Sequence, residues 1–384
     1  RIALYEGTWR KYRNLPDADK YLQLAADAAS TFISESGYSL YKEGTEPYRD
    51  LFCSDDAKQE EVILARIYNF EGLNLSHNVQ FNIRNSAAGF TRRFMNHYLM
   101  ADGSRFTEKE GHETMSYTEE TAGRDPRMAQ TVLCPGYIAK GEESVTANDM
   151  TAMTGYEPIK FVATAAHSGA SKGTSDWPLF RTAEVYLNYA EAKAELGTLT
   201  KDDLLISIDR IRDRAGMKGL DMAAANANPD PFLLACYPNV TKSENTGVIL
   251  EIRRERTIEG LRMWDMFRWK EGAQLVNETN PYYGIYFSGP GLYDMDGDGR
   301  NDLELYVDKQ TSSPADGLTV LRIGSDIILS DMAENRGYVV AWSTLKYTWN
   351  EERDYLWPIP ADQRVLTGGL LTQNPGWTDS TDFD

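Results

Sequence analysis

Apolar residues recur at helical spacing in three stretches of this chain. The turn Leu15-Pro16-Asp17 separates RIALYEGTWRKYRN from DADKYLQLAADAASTFISES, in which Ala18, Leu22, Ala25, Ala29 and Phe32 fall on one side and Asp17 stands at the N-cap. The spacing predicts a helical hairpin over 1–36. A second hairpin is predicted from DWPLFRTAEVYLNYAEAKAELG (176–197) and TKDDLLISIDRIRDRAG (200–216). Its second helix opens on a Thr200/Asp203 capping box, carries Leu204, Ile208, Ile211 and Ala215 as a stripe, and ends at Gly216. Two such units with small residues at the crossings point to tetratricopeptide-like packing.

The third stretch, ILEIRRERTIEGLRMWDMFRWKEG (249–272), breaks the usual rule for a surface helix. Glu251, Arg253, Arg254, Glu255, Arg256 and Glu259 stand between apolar residues on both sides, too crowded for one solvated face. Arginine forks satisfy carboxylates and carbonyls together, so the expectation is a buried ion-pair network that fixes how helices cross. Trp264, Phe267 and Trp269 just downstream argue for burial as well.

Elsewhere the texture changes. EVILARIY (61–68) reads as a short strand, and the region from there to about Ser175 is rich in Gly, Ser, Asn and isolated aromatics. Residues 277–316 share that character, while AWSTLKYTW (341–349) reads as a β-like stretch and YLWPIP (355–360) as an extended proline turn. Helical patterning is concentrated in 1–36 and 176–272, with 37–175 and 273–384 as loop-rich territory, in one large domain or two closely packed ones. Loops held on a rigid frame are where binding residues lie.

With 384 residues, 41% of them hydrophobic, the chain can bury a large core. Its 58 acidic against 40 basic residues, a net charge of -18, give no support to nucleic-acid or anionic-membrane binding; a neutral polar ligand or a cation suits the overall balance better. No run of about 20 apolar residues is present to span a bilayer. The chain begins at Arg1 inside a helical pattern, so upstream sequence carrying any targeting signal is expected to be missing. Cys53, Cys134 and Cys236 form no CxxC pair and read as isolated core thiols, with one disulfide left open.

Among candidate chemical motifs, DMDGDGRND (294–302) stands out. Asp294, Asp296, Asp298, the carbonyl of Arg300 and Asp302 reproduce the first nine positions of a calcium loop, with Gly299 at the tight turn. The twelfth position is Leu305 rather than Glu, so the loop is expected to hold calcium structurally and outside an EF-hand. GASKG (169–173) matches the nucleophile-elbow pattern around Ser171 but lacks the strand and helix that an elbow requires. The four histidines are dispersed, without the spacing of a zinc site. The aromatics, 22 Tyr, 8 Trp and 13 Phe, include many outside helical stripes, and flat rings beside Asn, Asp and Arg suit sugars.

DWPLFRTAEVYLNYAEAKAELG, ILEIRRERTIEGLRMWDMFRWKEG and the terminal YLWPIPADQRVLTGGLLTQNPGW, together with FMNHYLMADG (94–103) and RDPRM (124–128), resemble the SusD/RagB family of Bacteroidetes outer-membrane lipoproteins. The resemblance implies a mainly α SusD-like fold, one domain over 1–384, with tetratricopeptide-like hairpins over 1–36 and 176–272 as scaffold and a loop-rich region with a few short strands over 37–175 and 273–384. It implies a surface-exposed outer-membrane protein, anchored through an N-terminal lipid not present in this chain, that captures glycan and hands it to a SusC-like TonB-dependent transporter without catalysis. Family ligand sites vary, so candidates come from the residues themselves: His77, Asn78, Phe90, Tyr117, Tyr137 and Trp177, with Tyr283 on a second surface. The competing expectations are a lid that binds only its transporter, and a glycoside hydrolase using an unmarked carboxylate pair.

Overall fold

The computed structural model describes residues 1–314 and 317–378. The chain opens with α1 (Ile2–Lys11) and α2 (Ala18–Glu35), followed by α3 (Pro47–Cys53), β1 (Val62–Arg66) and four short helices, α4 (Phe70–Leu73), α5 (Val79–Asn85), α6 (Arg92–Met95) and α7 (Tyr117–Thr121). After a long irregular stretch, β2 (Trp177–Arg181) runs directly into α8 (Thr182–Glu195). Then come α9 (Lys201–Leu205), α10 (Ile208–Arg214), α11 (Met222–Ala227), α12 (Pro231–Cys236), α13 (Thr246–Ile258) and α14 (Arg262–Arg268). The last part holds β3 (Tyr283–Phe287), β4 (Gly291–Tyr293), β5 (Leu303–Tyr306), β6 (Thr319–Arg322), β7 (Leu329–Asp331), β8 (Arg336–Val340) and α15 (Ala361–Leu366). Among the described residues no helix is long and apolar enough to cross a membrane.

The first hairpin forms as its pattern predicts, with Leu22, Ala25, Ala26 and Ala29 buried against α1 and α8. Asp17 caps nothing: it sits at φ 64 and its side chain makes no cap hydrogen bond. In the second hairpin the Thr200/Asp203 capping box is present and the stripe is buried. The predicted single helix is nevertheless two, broken at Ser207 (φ -130, ψ -101), whose hydroxyl donates to the Asp203 carbonyl (2.5 Å). The third predicted helix is likewise divided. Gly260, at φ +88, adopts the left-handed turn between α13 and α14 that a Cβ would oppose.

A larger correction concerns 177–181. These residues are a strand, paired antiparallel with β1 through Arg66↔Trp177, Ala65↔Pro178 and Val62↔Arg181. The strand at 61–68 was legible, but its partner was hidden inside a helical reading. The other sheets are small: β3-β8-β7, and β4-β5-β6 with β5 and β6 parallel. Residues 341–349 are turn and irregular chain rather than strand.

One core lies between α8, α10, α12, α13 and α14, around Tyr186, Leu187, Ile211, Leu250, Ile252 and Trp269. A second lies beneath the small sheets, around Met95, Tyr98, Val132, Ile285, Leu303 and Val339. All six charges singled out in 251–259 are buried. Arg254 pairs with Asp230 and Glu251, Arg256 with Asp265 (2.5 Å), and Glu255 accepts from both Arg127 (2.6 Å) and Arg212 (2.7 Å). Phe267 and Trp269 are buried as expected, whereas Trp264 is 55% exposed. All three cysteines are free, and burial pushes the Cys134 thiol up to about 12 and the Cys53 thiol to about 11. Such thiols are inert at neutral pH.

Candidate functional site

The buried network also positions the loop-rich region. Arg127 joins Asp125 to Glu255 of α13, and Arg254 of α13 donates to the His97 carbonyl (2.8 Å). Arg124 donates to the carbonyls of Met95 and Tyr98 (both 2.8 Å). These bonds hold α6 and the chain that leaves it against the scaffold. β3 contacts α6 and packs on the chain around Thr154 so closely that a Cβ on Gly284 would lie 1.9 Å from the Thr154 carbonyl oxygen. Only glycine permits that contact.

Between α6, α12 and β3 lies a cleft of about 330 Å³ lined by Arg92, Arg93, Asn96, His112, Phe232, Asn280, Tyr283 and Tyr338, among others. One wall is aromatic. Tyr283 stacks on Tyr338 with ring centroids 5.1 Å apart, and Tyr286 meets Tyr338 edge-on at 5.6 Å. Tyr338 is held in place twice: its hydroxyl donates to the Glu113 carbonyl (2.8 Å), and the Arg92 guanidinium lies 4.8 Å from its ring. Arg92 is itself fixed by Glu120 (2.7 Å) and the His112 carbonyl (2.6 Å). Burial pushes the Tyr338 hydroxyl above its usual range, with Arg92 opposing.

The cleft also holds unengaged polar groups. Among the described residues, the Asn96 amide and the Tyr283 hydroxyl have no hydrogen-bond partner, and the His112 ring uses only Nδ1, toward the Lys109 carbonyl (3.0 Å). A flat apolar surface in one cleft with unengaged donors and acceptors matches a pyranose ring, whose faces are apolar and whose edge bears hydroxyls.

The structure separates the residues predicted from sequence. Tyr283 lines this cleft. Phe90 stacks on Phe94 of α6 (4.3 Å) and packs against the second core. His77, Asn78 and Trp177 gather elsewhere, where the loops 68–78 and 171–177 meet. There the His77 Nδ1 accepts from the Val79 N–H (3.2 Å), which leaves Nε2–H to donate to the Ser175 carbonyl (3.0 Å). Asn78 accepts from the Ser171 N–H (2.5 Å), and Trp177 stacks on Phe161 (4.4 Å). These contacts tie the two loops together and leave no imidazole nitrogen of His77 for Ser171.

Tyr117 and Tyr137 require correction. Tyr117 is only 3% exposed and spends its hydroxyl on the Leu133 carbonyl, while Tyr137 packs under Arg49 and accepts from its guanidinium (2.9 Å). Both are interior residues, buried by the fold of 117–137 rather than presented on a loop. Conversely, Tyr338, Arg93, Asn96 and Phe232 escaped the sequence reading. The alternation in RGYVV was the available signal for Tyr338, and Asn96 lay within FMNHYLMADG, which was read only as a landmark.

The loop 294–302 connects β4 to β5, so it belongs to a β-hairpin. Asp294, Asp296 and Asp302 each place one carboxylate oxygen within 4.8 Å of the others. Asp298 is not in that group; its carboxylate accepts from the Arg300 N–H (2.7 Å). Burial, then the charges of Asp296 and Asp294, raise the Asp302 carboxyl above its usual range. Glu304 is committed elsewhere, to Thr311 and Ser312 (2.6 Å to each N–H). The loop also braces its neighbours, since the Asp296 carbonyl accepts from the Gly136 N–H (2.9 Å).

The whole is a mainly helical frame, stapled by buried arginine–carboxylate pairs, with an aromatic cleft on its loop-rich side. The chain belongs to the SusD family, whose sequence profile matches residues 76–377. A SusD-like protein from Bacteroides fragilis NCTC 9343 shares the fold with a TM-score of 0.57 at 20% identity, over 98% of this chain and 63% of its own. A SusD-like carbohydrate-binding protein from the same organism gives 0.58 at 17% identity, over 95% of this chain and 62% of its own. This chain therefore spans less than two thirds of the length of either. Among curated proteins there is no match.

Proposed function

We propose that this protein binds glycan in the cleft between α6 and β3, at the outer surface of the cell, and passes it to a SusC-like TonB-dependent transporter without catalysing any reaction. The observation that carries the reading is the Tyr283–Tyr338 stack in one cleft with the unengaged Asn96 amide. Membership of the SusD family and a structural relative described as carbohydrate-binding support it. Attachment to the outer membrane through an N-terminal lipid is part of the same proposal and rests on the family. Affinity electrophoresis against a broad panel of polysaccharides tests the reading: retardation by at least one polymer is expected. Failure to bind any polymer would favour a lid that contacts only its transporter, and release of reducing sugar would point to a hydrolase.

The hairpin loop 294–302 is proposed to take a calcium ion in a structural role. Three converging carboxylates repel one another unless a hard cation joins them. Asp294, Asp296 and Asp302 would supply ligands, with the Arg300 carbonyl as a further donor. Asp298 orders the turn instead.

A further inference from the structure

The cleft carries a charge that the net charge of the chain conceals. Throughout the scaffold, buried arginines face carboxylates: Arg127, Arg254, Arg256 and Arg268 each have at least one. Arg93, on the cleft wall, has none among the described residues. Its Nε donates to the Cys236 thiol (3.1 Å) and its Nη2 to the Ala235 carbonyl (3.0 Å) and the Gln274 amide oxygen (2.8 Å), all neutral acceptors. Three bonds thus fix the guanidinium plane, none of them to a carboxylate, and among the described residues Nη1 stays unbonded. Among the described residues Arg262 also lacks a carboxylate partner; its Nε and Nη2 are buried without a hydrogen bond there, and its charge, like that of Arg93, acts on Cys236. Of the nearby carboxylates, Glu271 feels the Arg93 charge but bonds to the Asn239 N–H (2.8 Å) and Arg253 (3.5 Å), and Glu113, which also lines the cleft, is exposed and makes no ion pair with Arg93. A pre-oriented, unpaired guanidinium beside an aromatic platform is a seat for an oxyanion.

We propose that the ligand of this cleft is an acidic glycan, with a uronate carboxylate or a sulfate ester on Arg93 and its sugar ring on Tyr283 and Tyr338. This rests on the glycan-binding reading and names the ligand class. It reverses the expectation of a neutral or cationic ligand drawn from overall composition, because a field local to the cleft decides what enters it.

Polygalacturonate and alginate as carboxylate probes, dextran sulfate and carrageenan as sulfate probes, and amylose and galactomannan as neutral controls separate the outcomes. The expected result is binding to at least one acidic polymer, weakening as salt rises from about 50 to 500 mM. Arg93→Gln should lower that affinity by about tenfold to a hundredfold, and Arg93→Lys should retain part of it. Binding to neutral polymers alone, or to acidic ones without sensitivity to salt or to Arg93→Gln, overturns the inference and leaves glycan binding standing. Binding to none of the six overturns the inference outright, and only failure across the broad panel would remove the glycan reading too. If Arg93→Gln does not fold, the salt dependence of the wild-type protein decides.

Discussion

The Lys160 ammonium donates to the Tyr48 hydroxyl (2.6 Å) and to the Glu259 carbonyl (3.3 Å) and lies over the rings of Tyr48 and Phe52. Neither oxygen depends on it. Tyr48 donates to the Ile258 carbonyl (3.0 Å), and the Glu259 carbonyl also accepts from Arg181 (2.9 Å). Burial, then the charge of Arg181, lowers the Lys160 pKa to about 7, with Glu259 opposing. The sign follows from proton counts. Between about 7 and the ordinary lysine value near 10.4 the unfolded chain binds the extra proton, so this residue makes stability rise with pH across that window. Below it the penalty is present in full. Lys160→Met should therefore raise stability at pH 7 by about 1 to 3 kcal/mol and flatten the rise above it. Urea unfolding at pH 6.5, 8 and 9.5 checks both; an unchanged or lower midpoint at pH 6.5 would contradict the argument.

Among the elements, α13 joins frame to site. Glu255 sits between Arg127 from the loop-rich region and Arg212 from α10, so removing it leaves two buried guanidinium groups short of a partner. Glu255→Ala should cost about 3 to 5 kcal/mol, measured by urea unfolding, against little for the exposed pair Lys42–Asp213. For the β4–β5 hairpin, Asp296→Ala should lower the melting temperature only when calcium is present. Equal melting of the wild type in calcium and in chelator would sink the calcium proposal. These elements also show how much was legible. The charge pattern of 251–259 announced burial because no solvated face could hold six charges with apolar residues on both sides. The strand at 177–181 was not legible, because what makes it a strand is β1, far back in the chain, while Thr182 onward continues in helical spacing. The break at Ser207 was silent for a related reason: the apolar stripe runs through it undisturbed.

At the scale of the whole molecule, helices and buried ion pairs build a frame, and the cleft forms where that frame grips α6 and β3 packs against it. Tyr283 could be named from sequence as an aromatic outside a stripe, yet nothing local distinguished it from Tyr117, which the fold buries. Only the pairing of β3 with β8, Tyr286 opposite Tyr338, brings the platform together from two distant segments. The central claim is that this platform binds sugar. Calorimetry on Tyr283→Ala and Tyr338→Ala, with whichever polysaccharide the wild-type protein retains, measures it most directly. Each variant should lose about tenfold or more in affinity while keeping the wild-type circular dichroism spectrum. Unchanged affinity in both folded variants would place the site elsewhere and contradict the account.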